Sequence, residues 1–241
     1  MTSKKTNTSF FYLTVLAVLL ALGLALFFRS SAFVVQNITV QGLSAIPKNE
    51  ILKLASGAKG QNLLLFDQED LKNKIFMHPL VQDVKFKRIL PHTLVIQITE
   101  RTPVALVVIS KGVLEVDSQG IFLRRLESWP KTDYPVITGV AVADTIGPGQ
   151  SLNNPSLTAA LRLLGQAPKE LLSQIGELHV NTIQQMTLYL TSGVEVRLGQ
   201  AQEWKDKLNA LWQLINDKEY KSFQQGVRYI DFTAAKPVIG R

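Results

Sequence analysis

The strongest pattern in the chain is a block at its start. From Phe10 to Phe28 the sequence reads FFYLTVLAVLLALGLALFF, nineteen residues without a charge. At about 1.5 Å per residue, a helix of that length matches a hydrocarbon core of about 30 Å. Lys4 and Lys5 precede the block and Arg29 follows it. That bias favours a cytoplasmic tail over residues 1–9, a transmembrane helix over 10–28 and the bulk of the chain on the far side. A cleaved signal peptide is the competing reading, with Ser30-Ser31-Ala32 as small residues at a cleavage site. Its apolar region would be about 7–15 residues long, shorter than this block.

Beyond the block the period changes. In FVVQNITVQG, Val34, Ile38 and Val40 share one parity and Asn37, Thr39 and Gln41 the other, which predicts a half-buried strand. PKNEILKLASG predicts a helix, with Pro47 in its first turn, Ile51, Leu54 and Ala55 facing inward and Gly57 as its stop. After the apolar loop GQNLLLFD, Asp67 and Asp70 form a capping-box spacing, and Leu71 and Ile75 stack one turn apart up to Pro79. VQDVKFKRI and TLVIQIT then alternate around Pro91-His92: Val84 and Phe86 oppose Lys85 and Lys87, and Leu94, Ile96 and Ile98 oppose Gln97 and Thr99. This is a β-hairpin. Residues 33–102 therefore read β-α-α-β-β, two helices on one face of a three-stranded sheet.

Residues 103–241 predict a larger β-rich domain with helices. VALVVIS, VLEVD, GIFLRR and YPVITG are short strands, with a turn at Asp117-Ser118-Gln119-Gly120. Asn154-Pro155 starts a helix with Leu157, Ala160, Leu161 and Leu164 on one face. A second hairpin alternates Met186, Leu188 and Leu190 with Val194, Val196 and Leu198 around Ser192-Gly193. A helix from Ala201 to about Lys218 places Trp204, Leu208, Leu211, Trp212 and Ile215 on one stripe. In the final segment GVRYIDFTAAKPVIGR, Ile230 and Phe232 alternate with Tyr229 and Asp231. The fold class is α+β, with one N-terminal transmembrane helix ahead of the two domains.

Composition narrows the chemistry. The 241 residues include no cysteine, which removes disulfides, thiolate metal sites and cysteine nucleophiles. The net charge of +7 is spread thinly: residues 33–103 hold 9 bases and 6 acids, and residues 104–241 hold 14 and 13. The densest basic cluster is Lys85, Lys87 and Arg88, too narrow for a duplex-binding stripe. A lipid- or wall-polymer-binding reading would need a basic face that residues 104–241 lack. The histidines, His78, His92 and His179, have no ligand at helical spacing. No G-x-S-x-G or S-x-x-K motif occurs, and Gly147-Pro148-Gly149 lacks the Lys-Ser/Thr of a phosphate loop. Glu195 and Arg197 read as a surface pair. Neither an enzyme nor a cofactor or metal site is expected.

The collinear set FVVQNITVQG, GQNLLLFD, HPLVQDVKFKRILPHTLVIQITERTPVAL, LEVDSQGIFL, YPVITG, GVEVRLGQ and VRYIDFTAAKPVIG, behind a single span, resembles the FtsQ/DivIB family of bacterial cell-division proteins. The resemblance covers nearly the whole chain. It implies a POTRA domain at 33–102 and a β domain at 103–241 ending in a partner-binding strand. It further implies a single-pass membrane protein of the division septum that binds small bitopic proteins of the FtsB/DivIC and FtsL type and links them to the septal peptidoglycan synthase. The family's last strand often reads Tyr-Ile-Asp-Leu-Arg; here Thr233 stands at the Arg position. A long C-terminal tail, present in some relatives, is not expected after Arg241.

The expected mechanism is strand addition at the final strand, taken as an edge that nothing later in the chain covers. The expected contact residues are Tyr229, Phe232, Thr233, Ala234, Ala235, Lys236 and Val238. Tyr229 would supply an aromatic anchor, Ala234-Ala235 a close backbone approach and Lys236 a charge, whereas Phe232 with Ile230 also reads as core. Lys85 and Lys87 suggest a second contact surface on the first domain, and Ala17, Ala21, Gly23 and Ala25 a packing face on the span. The alternative function is a POTRA-type export or insertion factor that holds unfolded envelope proteins.

Overall fold

The computed structural model describes residues 8–110, 112–129, 133–143, 145–200, 203–234 and 236–241. The N-terminal helix α1 runs Thr8–Phe28, and its Phe10–Phe28 stretch is apolar and long enough to cross a membrane. Inside it the Thr14 hydroxyl donates to the Phe10 carbonyl at 2.6 Å, so its polar group is satisfied within the helix. Lys4 and Lys5 lie outside the described residues. The chain divides into two compact units, Met1–Glu100 and Arg101–Arg241.

In the first unit, β1 (Asn37–Gln41), α2 (Lys48–Leu54), α3 (Gln68–Phe76), β2 (Val81–Ile89) and β3 (Thr93–Glu100) follow in order. The sheet order is β1-β3-β2, with β1 parallel and β2 antiparallel to β3. Ile51, Leu71, Ile75, Leu94, Ile96 and Ile98 are buried together, so the alternations predicted for the helices and β3 hold. Asp67 caps α3 by accepting from the Glu69 and Asp70 amides. Asp70 does not return the bond of a capping box; its carboxylate takes Lys74 one turn on, at 2.6 Å.

Three local readings change. Val34 is not the inward residue of the entry segment; Phe33 and Val35 are buried. Here the chain has not yet entered the sheet and pairs instead with loop residues: Val35 donates to Gln61 O, Gly60 to Val35 O and Leu63 to Phe33 O. Pro47 is the cap of α2 rather than a residue of its first turn. Gly57 does not stop α2, which passes into a 3-10 turn over Ser56–Ala58; the left-handed glycine is Gly60, at φ +86°.

At the far end of β3 the Glu100 carboxylate accepts from the amides of Ser44, Ala45 and Ile46 at 2.8, 2.8 and 3.0 Å. Partial burial pushes its pKa up, but these three N–H bonds outweigh it and hold the group below its ordinary value.

The second unit is built on a nine-stranded sheet. Its strands are β4 (Ala105–Ile109), β5 (Gly112–Val116), β6 (Phe122–Leu126), β7 (Val136–Thr138), β8 (Ile175–Val180), β9 (Met186–Leu190), β10 (Glu195–Gly199), β11 (Tyr229–Asp231) and β12 (Val238–Gly240). Their order is β12-β11-β10-β9-β8-β7-β4-β5-β6. Helices α4 (Pro155–Leu164), α5 (Lys169–Leu172), α6 (Trp204–Asn216) and α7 (Lys218–Phe223) join one face of it in a single core. Ile137, Leu178, Leu188, Val196 and Ile230 meet Leu157, Leu161, Leu208 and Leu211 there. Asn154 caps α4 as expected, accepting from Leu157 N at 3.0 Å. Gly120 takes φ +75° in the turn that Asp117 organises by accepting from Gln119 and Ile121. Asp117 is buried and takes an ion pair from Arg101 at 2.6 Å, the compensation a buried carboxylate needs.

The predicted long helix is two. Asp217 leaves the helical conformation at the end of α6 and then caps α7, accepting from the Glu219 and Tyr220 amides. Of its stripe, Trp204, Leu208, Leu211 and Ile215 are buried and Trp212 is half-buried. Ala201 and Gln202, the expected start of this helix, lie outside the described residues.

Candidate functional site

The predicted contact residues fall at one end of the nine-stranded sheet. β11 runs parallel to β10, in the register Glu195–Tyr229, Val196–Ile230 and Arg197–Asp231. After a six-residue connection, 232–237, the chain returns as β12, antiparallel to β11, with Tyr229 opposite Gly240 and Asp231 opposite Val238. This corrects the reading of the Tyr229 strand as the edge. β11 is flanked on both sides, and β12 holds the end of the sheet order. Among the described residues no strand pairs with the outer side of β12.

The named residues separate accordingly. Val238 stands in the edge strand and is 48% exposed. Phe232 and Ile230 are buried, so both belong to the core. Thr233, Ala234 and Lys236 are exposed in the β11–β12 connection. Ala235 lies outside the described residues. Ile239 and Gly240 are edge residues that alternation did not find; a three-residue strand gives no period to read.

Side-chain chemistry at this end lies on the sheet face away from the helices. The Arg197 guanidinium stacks 4.6 Å from the Tyr229 ring centroid and donates to Glu195 at 2.7 Å, the surface pair expected from the sequence. Tyr229 in turn lies against Gly240, where any Cβ would collide with its ring. The edge strand carries a glycine because an aromatic ring from its neighbour occupies the side-chain position. Asp231 accepts from both the amide and the hydroxyl of Thr233, at 2.7 and 2.6 Å. Those bonds, the hydroxyl's foremost, lower its pKa against partial burial, with Arg197 adding to them. Thr233 thus closes the β11–β12 turn.

Further along the same face, Thr138 donates to Glu177 at 2.6 Å and lies 2.8 Å from His179 Nδ1. Among the described residues no group of three metal-ligating side chains forms. A cleft of about 270 Å³ beside α6 and α7 is lined by Gln174, Ser192, Tyr220, Gln224 and Gln225 with apolar neighbours. The ionisable side chain in its lining is Tyr220, whose pKa burial pushes up.

Comparison with known proteins decides the family. A family model described as "Cell division protein FtsQ/DivIB, C-terminal" matches residues 105–232. The chain belongs to the FtsQ/DivIB family. A second model, "POTRA domain, FtsQ-type", matches residues 33–101, so the first unit carries the POTRA domain of this FtsQ/DivIB protein. "Cell division protein FtsQ" of Anaeromyxobacter sp. (strain K) is 30% identical over 213 residues, covering 87% of this chain and 71% of the relative. The protein of the same description from Syntrophotalea carbinolica is 30% identical over 216 residues, covering 88% and 75%. Among solved structures, the major extracytoplasmic domain of the trans isomer of cell division protein DivIB from Geobacillus stearothermophilus overlaps 46% of this chain and 87% of its own. Its TM-score is 0.34 and its sequence identity 20%. The expected assignment to cell division thus stands for this FtsQ/DivIB chain.

Proposed function

We propose that the chain is a non-enzymatic divisome scaffold. It sits in the membrane through α1 with its tail in the cytoplasm and both folded units on the outer side at the septum. It binds FtsB/DivIC-type and FtsL-type proteins and couples them to the septal peptidoglycan synthase. The observation that supports the binding mode is β12: a short strand at the end of a large sheet, with its outer side unpaired among the described residues. Such a strand presents N–H and C=O groups to an extended segment of a partner. Val238 and the exposed Thr233, Ala234 and Lys236 flank that edge, and Tyr229 braces it from behind through Gly240.

The geometry supplies its own test. Successive residues of a strand direct their N–H groups to opposite sides. Of Val238→Pro and Ile239→Pro, one therefore removes a bond to β11 and the other an N–H directed outward. In the full chain, reconstituted in nanodiscs, the outward substitution is expected to weaken binding of soluble FtsB/DivIC- or FtsL-type segments by about tenfold or more while the melting temperature holds. The other should lower the melting temperature. If neither proline weakens binding, strand addition at β12 is wrong.

A further inference from the structure

Three segments meet at one pole of the first unit, and the topology forces them together. Parallel pairing of β1 with β3 sets Asn37 beside Thr93, so the β2–β3 tip lies at the end of β1 that α1 feeds. Gln36 and Asn37 donate to His92 O there. The loop 59–66 joins through the bonds of Val35 with Gln61 and of Phe33 with Leu63. Arg88 stacks on Phe66 at 5.4 Å, tying loop to hairpin. The same loop touches the end of the apolar helix: Asn62 Nδ2 donates to Phe28 O at 2.8 Å, and the Phe27 and Phe33 rings meet edge to face at 5.3 Å.

The composition of this pole is one-sided. Segments 29–36, 59–66 and 87–92 contain Arg29, Lys59, Lys87 and Arg88 and no acid. The nearest acid in sequence, Asp67, is engaged in capping α3. Among these bases stand three large apolar side chains turned outward: Leu65 is 60% exposed, Ile89 47% and Leu90 58%. Apolar tips ringed by bases, held at the point where a membrane-length helix ends, suit a bilayer interface with anionic headgroups. Charge counted over whole domains hides this cluster; the acids beside it, Asp67 and Asp70, are engaged by the α3 amides and by Lys74.

We infer that the POTRA domain stands on the bilayer through this pole. Leu65, Ile89 and Leu90 seat in the interface of the leaflet where α1 ends, and Arg29, Lys59, Lys87 and Arg88 meet anionic phospholipid headgroups. The inference rests on α1 spanning the membrane. The interface then fixes the domain's orientation, so that the domain does not swing on the short segment after Phe28.

The absence of native cysteine permits single-site labelling of the full chain. Leu19→Cys, Leu65→Cys, Leu90→Cys and Met77→Cys would each carry an environment-sensitive fluorophore, with folding checked by circular dichroism. Met77, exposed at the far end of α3, is the control on the opposite pole. The chain is reconstituted in phosphatidylcholine with or without phosphatidylglycerol and challenged with spin-labelled lipid. Quenching at Leu19, Leu65 and Leu90 but not at Met77, increased by phosphatidylglycerol, is the expected result. Adding Lys87→Gln and Arg88→Gln should lower the docked fraction on the anionic bilayer by roughly fivefold per base. Quenching at Leu19 with Leu65 and Leu90 no more quenched than Met77 would overturn the inference and leave the span standing. Equal quenching at Met77 would overturn it as well. No quenching at Leu19 would overturn the span itself, and the docked pole with it.

Discussion

The β2–β3 tip and the β11–β12 edge present different kinds of surface. At the tip, the His92 carbonyl is taken by the Gln36 and Asn37 amides, and what faces outward is side chain: leucine, isoleucine, lysine and arginine. At the edge, Ile230 and Phe232 are sunk in the core and Tyr229 leans on Gly240, leaving the outer main chain of β12 as the main offering. A surface made of side chains is altered by changing charge or hydrophobicity. One made of backbone tolerates such changes and is altered by proline. The two contacts therefore differ in what abolishes them, which makes them separable by mutation.

The largest expected effect tests whether the edge depends on the core behind it. Ile230 is fully buried at the centre of β11. Ile230→Ala should cost about 2–5 kcal/mol in denaturant unfolding of the second unit and should weaken partner binding with it, since β12 is held through β11. Full affinity in a destabilised variant would separate edge from core. A smaller effect is expected at the pole. Asn62 bridges the end of α1 to its own loop, accepting from Leu64 and Leu65 amides at 2.9 and 3.3 Å while donating to Phe28. Asn62→Ala should cost about 1 kcal/mol and speed hydrogen exchange at those two amides, with exchange in β12 unchanged. Unaltered protection at Leu64 would mean that the loop is held by the Phe33 and Val35 ladder alone.

The smallest effect concerns the β11–β12 turn. Because Asp231 titrates lower when folded, its contribution is fully present above its unfolded pKa, about 3.9. The contribution is lost as pH falls through the folded value. Asp231→Asn should remove less than about 1 kcal/mol at neutral pH, given its partial exposure, and flatten the acid limb of the stability curve. Parallel curves for the two proteins would show that the Thr233 bonds add nothing to folding.

Much of this architecture can be read from alternation alone. Leu94, Ile96 and Ile98 and the Met186–Leu198 hairpin are buried as their spacing requires, although Val95 on the other face of β3 is buried as well. Where the spacing misled, a local device had broken the period. A register shift between Ile175 and Glu177 disrupts the parity of β8, a strand not anticipated from IGELHV. Asp217 splits one amphipathic stripe into two helices, and its signal, an aspartate two residues before Glu219, was present but masked by the continuing apolar spacing. The edge was the least legible part. β12 is defined by pairing with β11 across a connection, and nothing in Val238-Ile239-Gly240 announces that partner. The basic pole was visible as Lys87 and Arg88, but its meaning required the fold to bring Leu65 and the end of α1 beside them.

The parallel pairing of β1 with β3 also has a mechanical meaning. The chain enters this domain at the start of β1 and leaves it at the end of β3, and the two strands are neighbours running the same way. Tension between a membrane anchor and anything attached beyond Glu100 would pull the two strands along their length in opposite directions. All five paired positions from Asn37–Thr93 to Gln41–Gln97 would then bear the load together, in shear, instead of parting one after another. Resistance to such pulling is set by the rate of unfolding, not by equilibrium stability. A constricting envelope is a setting in which a linker with that geometry keeps its shape under load.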